Sequence, residues 1–553
     1  VNNANADEKQ VPTGTTLEEK SAYTFVDNSA DSNTGIAVEF YKYNDVTYEI
    51  ESQTKYVNIK KDTYANGTIS YSWDNDTKTF TATPSGAESK IEGVEYVGNL
   101  ENTGGAIQNH FNSSTEEIKG NFIANFANSK GGAVSNSYSS SIDIFVGNFI
   151  GNTAGNGGAI SNCFYSSIEN LVGDFIGNSA INNSQYNGHG GAIYNFQGST
   201  ITDITGDFIN NSAGREGGAI YNDSSSIGTI SGNFINNTAE VGGAVYNSST
   251  ITGIFGDFIG NSASSDGGAI FDIGTIINPI KGSFIGNTSG GRGGAIYTLG
   301  SLTFLADGTT SVFKDNEDST GSNAIYAVSV SAPYLKFIQN NSGKTYMYDK
   351  LEAHYGMDVH LIGDGTGTFY MYNDMINTSL HLDNITVDAV NNQTHTYNYA
   401  GLLLESNSNF VADVDLQNEV MDHIETGNNY TVNEGAKLTV TGMNLLNDAT
   451  KDDTKIFFAE SGLAKHVDTT VTEVAYSPIY KYDVNYVVDE EDNQGYFTFA
   501  RHAVPQGGGG NSSPSYESFN PAVLTSNVTA QAGAQSAMNQ GMYYAFEHAD
   551  NFM

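Results

Sequence analysis

Two short motifs alternate along the middle of the chain, and their apolar positions recur at a regular spacing. Gly-Gly-Ala followed by Ile or Val begins at Gly104, Gly131, Gly157, Gly190, Gly217, Gly242, Gly267 and Gly293. Phe-x-x-Asn follows each copy and begins at Phe122, Phe149, Phe175, Phe208, Phe234, Phe258, Phe284 and Phe313. No apolar pattern with the spacing of a helix persists through the interrupting Gly and Ser residues. The repeat therefore predicts short strands.

The spacing of the motifs indicates a stack of coils. Each repeat is about 26 residues long, which accommodates three short strands and their turns. In the coil that starts at Gly217 the predicted strands are 218–222, 226–230 and 233–237. One connection, 179–189, is expanded, and a turn can bulge outward whereas an insertion in a strand would turn every later side chain to the other face. We predict an all-β, right-handed parallel β-helix (β-solenoid).

Each repeated residue has a structural role in such a coil. The Phe side chains would stack in the dry interior, each contributing roughly 2–3 kcal/mol by burial; between Phe234 and Ile235, Phe234 is expected to face inward. The predicted Phe ladder is Phe122, Phe149, Phe175, Phe208, Phe234, Phe258 and Phe284. An amide at the same turn of each coil can pass hydrogen bonds along the axis. The predicted Asn ladder is Asn125, Asn152, Asn178, Asn211, Asn237, Asn261 and Asn287.

The repeat also divides the chain into segments. The predicted segments are an N-terminal β cap region at 1–90, the repeat β-helix at 91–330, less regular coils at 331–440, a C-terminal cap at 441–503, a Gly/Ser/Pro linker at 504–521 and a helical or disordered segment at 522–553. A terminal cap is required because an open last coil leaves a row of unpaired backbone groups. The first segment is either a cap or a recognition tip.

Composition narrows the classes of function. Lys and Arg total 23 against 62 Asp and Glu, which gives a formal net charge of −39. Such a surface repels phosphate backbones, so no nucleic-acid partner is expected. No apolar run of about 18 residues could span a bilayer as a helix. The single cysteine, Cys163, cannot form an intrachain disulfide and is interpreted as a small packed residue.

These repeats resemble the Gly-Gly-Ala-Ile and Phe-x-x-Asn repeats of the chlamydial polymorphic membrane proteins and related autotransporter adhesins of other Gram-negative bacteria. The resemblance covers residues 104 to about 316. It implies a passenger secreted through the outer-membrane β-barrel of its own precursor, located at the bacterial cell surface or outer membrane, or released outside the cell. It also implies that 441–503 is an autochaperone-like end region and that 522–553 leads into the barrel.

Catalytic motifs are scarce in the sequence. It contains no Gly-x-Ser-x-Gly and no His-Glu-x-x-His. Gly-His-Gly at 188–190 matches a polygalacturonase motif without that family's other residues, so His189 is interpreted as an exposed loop histidine. Asp174, Asp207 and Asp257 precede the Phe of their coils and are interpreted as solvated turn residues, not calcium ligands. We predict that the chain is not an enzyme and has no metal and no cofactor.

Two hypotheses of function remain. The first is an adhesin for a host cell-surface glycan or protein, with Tyr186 and His189 of the expanded turn and Arg215 of the following coil as candidate ligand-binding residues. Homotypic association is compatible with it. The alternative is a carbohydrate-active β-helix enzyme, a polysaccharide lyase or hydrolase, which requires a groove with at least three convergent carboxylates.

An aromatic residue follows several Gly-Gly-Ala-Ile/Val motifs directly. These residues are Tyr194, Tyr221, Tyr246, Phe271 and Tyr297. If their side chains point outward they could stack on sugars, and if they point inward they belong to the core. The inward orientation is the expectation.

Overall fold

The computed structural model describes residues 37–40, 51–54, 63–66, 69–74, 79–83, 90–97, 100–182, 187–328, 334–450, 453–460, 462–475, 481–489, 491–492 and 494–501. They divide into two compact units: Val1–Leu302 with Phe313–Val330, and Thr303–Val312 with Ser331–Met553. Within this part of the chain the only helix is the 3-10 turn Leu463–His466, and no helix there has the length and apolarity to cross a membrane. The predicted all-β parallel β-helix is confirmed.

Each coil of the first unit contributes strands to three parallel sheets. The first sheet follows the Gly-Gly-Ala motifs and contains Ile107–His110, Val134–Ser137, Ile160–Cys163, Ile193–Phe196, Ile220–Asp223, Val245–Asn247, Ile270–Asp272, Ile296–Thr298 and Ile325–Val328. The second contains Lys90–Val97, Ser114–Ile123, Ser141–Val146, Phe149–Ile150, Ser167–Val172, Phe175–Ile176, Thr200–Thr205, Phe208–Ile209, Ser226–Ser231, Phe234–Ile235, Thr250–Phe255, Phe258–Ile259, Thr275–Ile276, Phe284–Ile285 and Thr310–Lys314. The third contains Leu100–Thr103, Phe126–Lys130, Thr153–Asn156, Ser179–Ala180, Ser212–Ala213, Thr238–Ala239, Ser262–Ala263, Thr288–Ser289 and Glu317–Asp318. At its end Gly321–Ser322 pairs antiparallel with Glu317–Asp318.

Shorter strands precede the first complete coil. Ala37–Phe40 and Glu51–Thr54 pair antiparallel. Thr63–Asn66, Ile69–Asp74 and Thr79–Thr83 form an antiparallel meander. The last of these strands also pairs in parallel with the first sheet, with Phe80 opposite Ile107. Paired backbone therefore covers the starting edge of the first sheet.

The third predicted strand of each coil is divided in the structure. Where one strand was predicted at 233–237, the structure has two strands, Phe234–Ile235 and Thr238–Ala239. Asn236 between them has a φ of 53°, a left-handed conformation outside the range of regular β-strands, and it interrupts the strand. The coil therefore has four short strands, and the predicted count of three is wrong.

The Phe residues of the repeat stack in the interior of the first unit. All eight rings from Phe122 to Phe313 are 0% exposed. Neighbouring rings have centroids 4.6 to 5.1 Å apart and planes within 14° of parallel. Phe234 faces inward as expected, but Ile235 is only 1% exposed, so the two-residue strand buries both side chains.

The Asn residues of the repeat form a continuous line of buried hydrogen bonds. Asn178 Nδ2 donates to Asn211 Oδ1 at 3.0 Å, and Asn211 Nδ2 donates to Asn237 Oδ1 at 3.0 Å. The same bond joins successive members from Asn125 to Asn316. Each buried amide also satisfies backbone groups of the adjacent coil, as a dry interior requires.

A second amide ladder, not predicted from the sequence, follows the first sheet. Its members are Asn109, Asn136, Asn162, Asn195, Asn222 and Asn247, and all are 0% exposed. Each Nδ2 donates to the Oδ1 of the next member at 2.8 to 3.0 Å. Asp272 continues the line and accepts from Asn247 Nδ2 at 2.7 Å. One ionisable group therefore stands where the six preceding coils place an amide.

Replacing Asp272 with Asn is expected to stabilise the protein above pH 6. Burial raises the pKa of Asp272 to about 6, so the folded state keeps a proton that the unfolded chain releases. The wild type therefore loses stability as the pH rises from about 4 to 6. Asn keeps the acceptor Oδ1 without a charge, so D272N should be about 2–3 kcal/mol more stable at pH 8 and equal at pH 4.

Urea denaturation at pH 4, 6 and 8 measures this difference. The matched control is D203N, because Asp203 is exposed in a strand of the same unit. The control should follow the wild type at every pH. If D272N and the wild type responded identically to pH, the buried carboxyl would not be the source of the dependence.

The aspartates before the Phe ladder are not solvated turn residues. Asp174 is 0% and Asp207 9% exposed. Asp174 Oδ1 accepts the backbone N–H of Asp207 at 3.0 Å, and Asp207 Oδ1 accepts that of Asn233 at 2.8 Å. The interpretation from sequence is wrong for these two residues. Asp and Asn alternate at this position because both supply the acceptor that the next coil needs.

The second unit also contains parallel coils, and its last described strands form an antiparallel sheet. Its strands are Leu302–Asp307, Tyr334–Asn340, Lys344–Met347, Leu351–Gly363, Thr368–Met371, Met375–Asp383, Thr386–Asp388, Thr396–Asn398, Gly401–Leu404, Ser408–Asp415, Val420–Met421, His423–Glu425, Tyr430–Val432, Leu438–Asn447, Asp453–Ala459, Val467–Thr469, Glu473–Ala475, Lys481–Val488 and Gly495–Arg501. Asp453–Ala459, Gly495–Arg501, Lys481–Val488 and Glu473–Ala475 form the antiparallel sheet, in that order. This sheet lies within the segment predicted as a cap. The predicted segments 504–521 and 522–553 lie outside the described residues.

Candidate functional site

The aromatic residues after Gly-Gly-Ala-Ile/Val lie on the outer face of the first sheet. Ile193 and Asn195 are 0% exposed and belong to the interior and to the second amide ladder. Successive side chains of a strand point to opposite faces, so Tyr194 between them points outward. The expected inward orientation is wrong. We call the set Tyr194, Tyr221, Tyr246, Phe271, Tyr297 and Tyr326 the outer aromatic ladder.

The rings of this ladder stack on one another. Successive centroids are 4.9 to 5.6 Å apart, with planes within 29° of parallel. Tyr246, Phe271 and Tyr297 are partly exposed, whereas Tyr194 and Tyr221 are buried. Burial raises the pKa of Tyr246 to about 12. Since neighbouring rings cover the faces of the inner rungs, these rungs present their edges to a partner, and a sugar has no free ring face there to stack on.

Polar and charged side chains border the ladder. They occupy the position directly before Gly-Gly-Ala, at Lys130, His189, Glu216, Asp266 and Arg292, which we call the charged rim. Lys130 Nζ lies 5.8 Å from the Tyr194 ring centroid, and the Arg292 guanidinium lies 5.0 Å from that of Tyr326. These are cation–π distances. A charged residue or a histidine directly before five of the eight Gly-Gly-Ala motifs was the sequence signal that could have identified the rim.

His189 belongs to the rim and is not an exposed loop histidine. It is 7% exposed, and its ring stacks on Tyr221 with centroids 4.6 Å apart. Its Nδ1 lies 3.1 Å from Glu216 Oε2, and its backbone N–H donates to Asn156 Oδ1. The histidine packs against the ladder because the expanded turn brings it back to the coil before Gly190.

Two of the three predicted ligand-binding residues meet at Glu216. Arg215 is exposed, and its Nε lies 3.8 Å from Glu216 Oε1 while His189 approaches the other carboxylate oxygen. Sequence reasoning assigned no role to Glu216. Tyr186 lies outside the described residues. The assignment of Tyr186, His189 and Arg215 to ligand binding stays a prediction.

The enzyme hypothesis requires carboxylates that a sugar can reach. Asp388, Asp413 and Asp422 form a cluster of carboxyl groups. Burial, together with the charges of Asp413 and Asp388, raises the pKa of Asp422 to about 8. Asp413 and Asp422 are 0% exposed. Asp422 accepts the backbone N–H groups of His395 and Asp413 at 2.6 and 2.7 Å. This cluster fixes turns of the second unit, and its buried oxygens cannot flank a glycosidic bond.

The second unit has outward tyrosines of its own. Tyr346 and Tyr370 stack with centroids 4.1 Å apart, and Tyr348 and Tyr372 lie beside them. All four are partly exposed. The Gly-Gly-Ala motif, and with it the position of the charged rim, is absent from this segment.

The interior ladders, the parallel sheets and the repeated outer face define the first unit as a β-solenoid repeat protein. The Chlamydia polymorphic membrane protein (Chlamydia_PMP) repeat matches it at residues 206–223, 257–272 and 281–299. Each matched segment includes one rung of the outer aromatic ladder, at Tyr221, Phe271 and Tyr297. The resemblance to an autotransporter passenger of this kind is confirmed. A search of curated proteins finds no match to the chain.

Proposed function

We propose that the chain is the passenger of a bacterial autotransporter, exposed on the cell surface or secreted, and acts as an adhesin. The repeats and the β-solenoid are typical of surface passengers of this type. The observation that supports adhesion is the outer aromatic ladder with its charged rim. The interior Phe and Asn ladders already connect successive coils, whereas Tyr246, Phe271 and Tyr297 of the outer ladder leave their ring edges partly exposed to water.

A host cell-surface protein fits this face better than a glycan. Tyr and Arg are enriched among residues that dominate protein–protein binding energy, and neighbouring polar contacts exclude water around them. The stacked rings offer edges, which suit an extended polypeptide, and occupy the faces that a sugar would need. The net charge of −39 favours a partner with a basic surface, because opposite charges accelerate encounter.

Removing the exposed rungs should therefore reduce binding. We expect Y246A/Y297A to bind epithelial cells at least about tenfold more weakly than the wild type, a loss of about 1.4 kcal/mol. R215A should give a smaller loss, because Arg215 is solvated at the border of the ladder. Flow cytometry with labelled purified chain, at several concentrations, measures the saturable binding.

The matched control is Y346A/Y370A, which removes two outward stacked tyrosines from the second unit. It should bind as the wild type does. Unchanged binding by Y246A/Y297A, with the thermal midpoint retained, would contradict the assignment of the site. A glycan array probed in parallel detects a sugar ligand, and reducing-sugar release on it would favour the enzyme alternative. Concentration-dependent dimers in light scattering would indicate homotypic association.

A further inference from the structure

Two histidines and an aspartate meet on neighbouring strands of the second unit. Leu351–Gly363 and Met375–Asp383 pair in parallel with His360 directly opposite His381. Asp358 lies two residues before His360, and residues two apart in a strand share a face. The register alone therefore places three side chains of types that commonly bind metals next to one another.

The trio lies on the outer face of the sheet. The residues that alternate with it, Val359, Leu361, Leu380 and Leu382, are all 0% exposed and form the interior. The two imidazole centroids are 4.1 Å apart. His381 Nε2 lies 3.6 Å from Asp358 Oδ1. One ligand atom from each of the three residues lies within 4.8 Å of the other two, so a small ion could contact all three after minor side-chain rotation.

We propose that Asp358, His360 and His381 bind a divalent transition-metal ion of the Zn²⁺ type. Two imidazole nitrogens and one carboxylate are a donor set that such ions prefer over Ca²⁺ or Mg²⁺, which take oxygen ligands. Three protein ligands on an open face leave a coordination position for water or for a side chain of a partner.

A fourth residue is placed to orient His381. Nδ1 of His381 is buried and has no hydrogen-bond partner, but it lies 4.0 Å from Glu405 Oε1. Glu405 follows Gly401–Leu404, the strand that pairs with Met375–Asp383 on its other side. Metal-binding histidines usually donate the other ring N–H to a carboxylate, which fixes the tautomer. With an ion bound at Nε2 of His381, Nδ1 would carry the proton and could donate it to the Glu405 carboxylate. Glu405 is therefore a positioning residue.

The immediate surroundings also contain one cation. Lys336 pairs with His360 from the strand on the far side, and its ammonium lies 5.0 Å from the ring centroid of Tyr334. Lys336→Gln should strengthen metal binding, because it removes a like charge from the neighbourhood of the ion.

Isothermal titration of the chelator-treated full chain, without an affinity tag, with ZnCl₂ tests the proposal. We expect one ion per chain. H360A and H381A should each remove that ion. E405Q should weaken its binding by about 10- to 100-fold. Cobalt substitution gives a second readout, because Co²⁺ held by two imidazoles and a carboxylate shows visible absorption that the histidine variants lack.

The matched control is H395A, which removes a histidine of the same unit that lies 2.6 Å from Asp374. It should still bind one ion. If the histidine variants fold poorly, D358N tests the same site, because the Asp358 side chain is 49% exposed and its loss should not disturb the sheet. No ion bound to the wild type, or an ion lost in H395A and retained in H360A and H381A, would overturn the proposal.

Discussion

Replacing Gly218 with Ala is expected to prevent the central coils of the first unit from stacking. A Cβ on Gly218 would lie 1.9 Å from the carbonyl oxygen of Gly243 and 2.6 Å from that of Thr238. Both are backbone atoms, which cannot rotate away as a side chain can, and Gly218 N–H donates to the carbonyl of Gly242 in the next coil. The clash can be relieved only by separating the coils. The expected loss exceeds about 4 kcal/mol, the range of the most damaging single substitutions.

Gly253 provides the matched control for this substitution. It lies in the strand Thr250–Phe255, and a Cβ added there would have Phe255 Cζ as its nearest atom at 3.5 Å, an ordinary contact. G253A should therefore change the free energy of unfolding by less than about 1 kcal/mol. Urea denaturation followed by circular dichroism compares the two variants. Equal losses for both would show that close approach of the coils is not the reason for the Gly pair.

Replacing Phe208 with Ala is expected to cost about 3–5 kcal/mol of stability. The ring is 0% exposed, and its faces are covered by Phe175 and Phe234, each with centroids 4.8 Å away. Truncation leaves a cavity that the neighbours cannot fill, because the backbone hydrogen bonds of the coils fix their spacing. The interior of a solenoid has no other element that could move into the space.

Phe271 of the outer aromatic ladder is the control for this loss. It also stacks on both sides, with centroids 5.5 and 4.9 Å away, but it is partly exposed. F271A should cost less than half as much, because less apolar area returns to water and no closed cavity forms. The same denaturation experiment measures both variants. An equal cost at the two positions would place the outer ladder among the main contributors to folding.

The alternation of Gly-Gly-Ala and Phe-x-x-Asn was sufficient to predict the class of fold and both interior ladders that the motifs contain. A residue that recurs at one position of every coil contacts copies of itself, so Phe208 predicts Phe175 and Phe234 as neighbours without further information. The second amide ladder carried the same signal at Asn222 and was missed. It follows the Gly-Gly-Ala motif by three residues and continues through Asp272, where the amide is replaced.

The orientation of the outer aromatics could not be derived in the same way. A strand of three or four residues, such as Ile220–Asp223, has too few alternations to show which face is inward. The positions of the turns decide which face of the strand is inward. The turns in their turn depend on the left-handed conformation of residues such as Asn236. His189 is a second example. Its place in an expanded turn predicts an exposed side chain, whereas the structure shows the imidazole packed against Tyr221 and Glu216.

The sequence by itself determined the stacked parallel coils and the rows of Phe and Asn that run along them. It did so because repetition makes neighbours in space from residues that are one period apart. Only the tertiary structure decided which aromatic residues face outward, that Lys130, His189, Glu216, Asp266 and Arg292 border them, and that Asp358, His360 and His381 converge. Those contacts depend on the register between strands and on the path of each turn. Outside the repeat the sequence has no periodicity from which the register or the turn could be predicted.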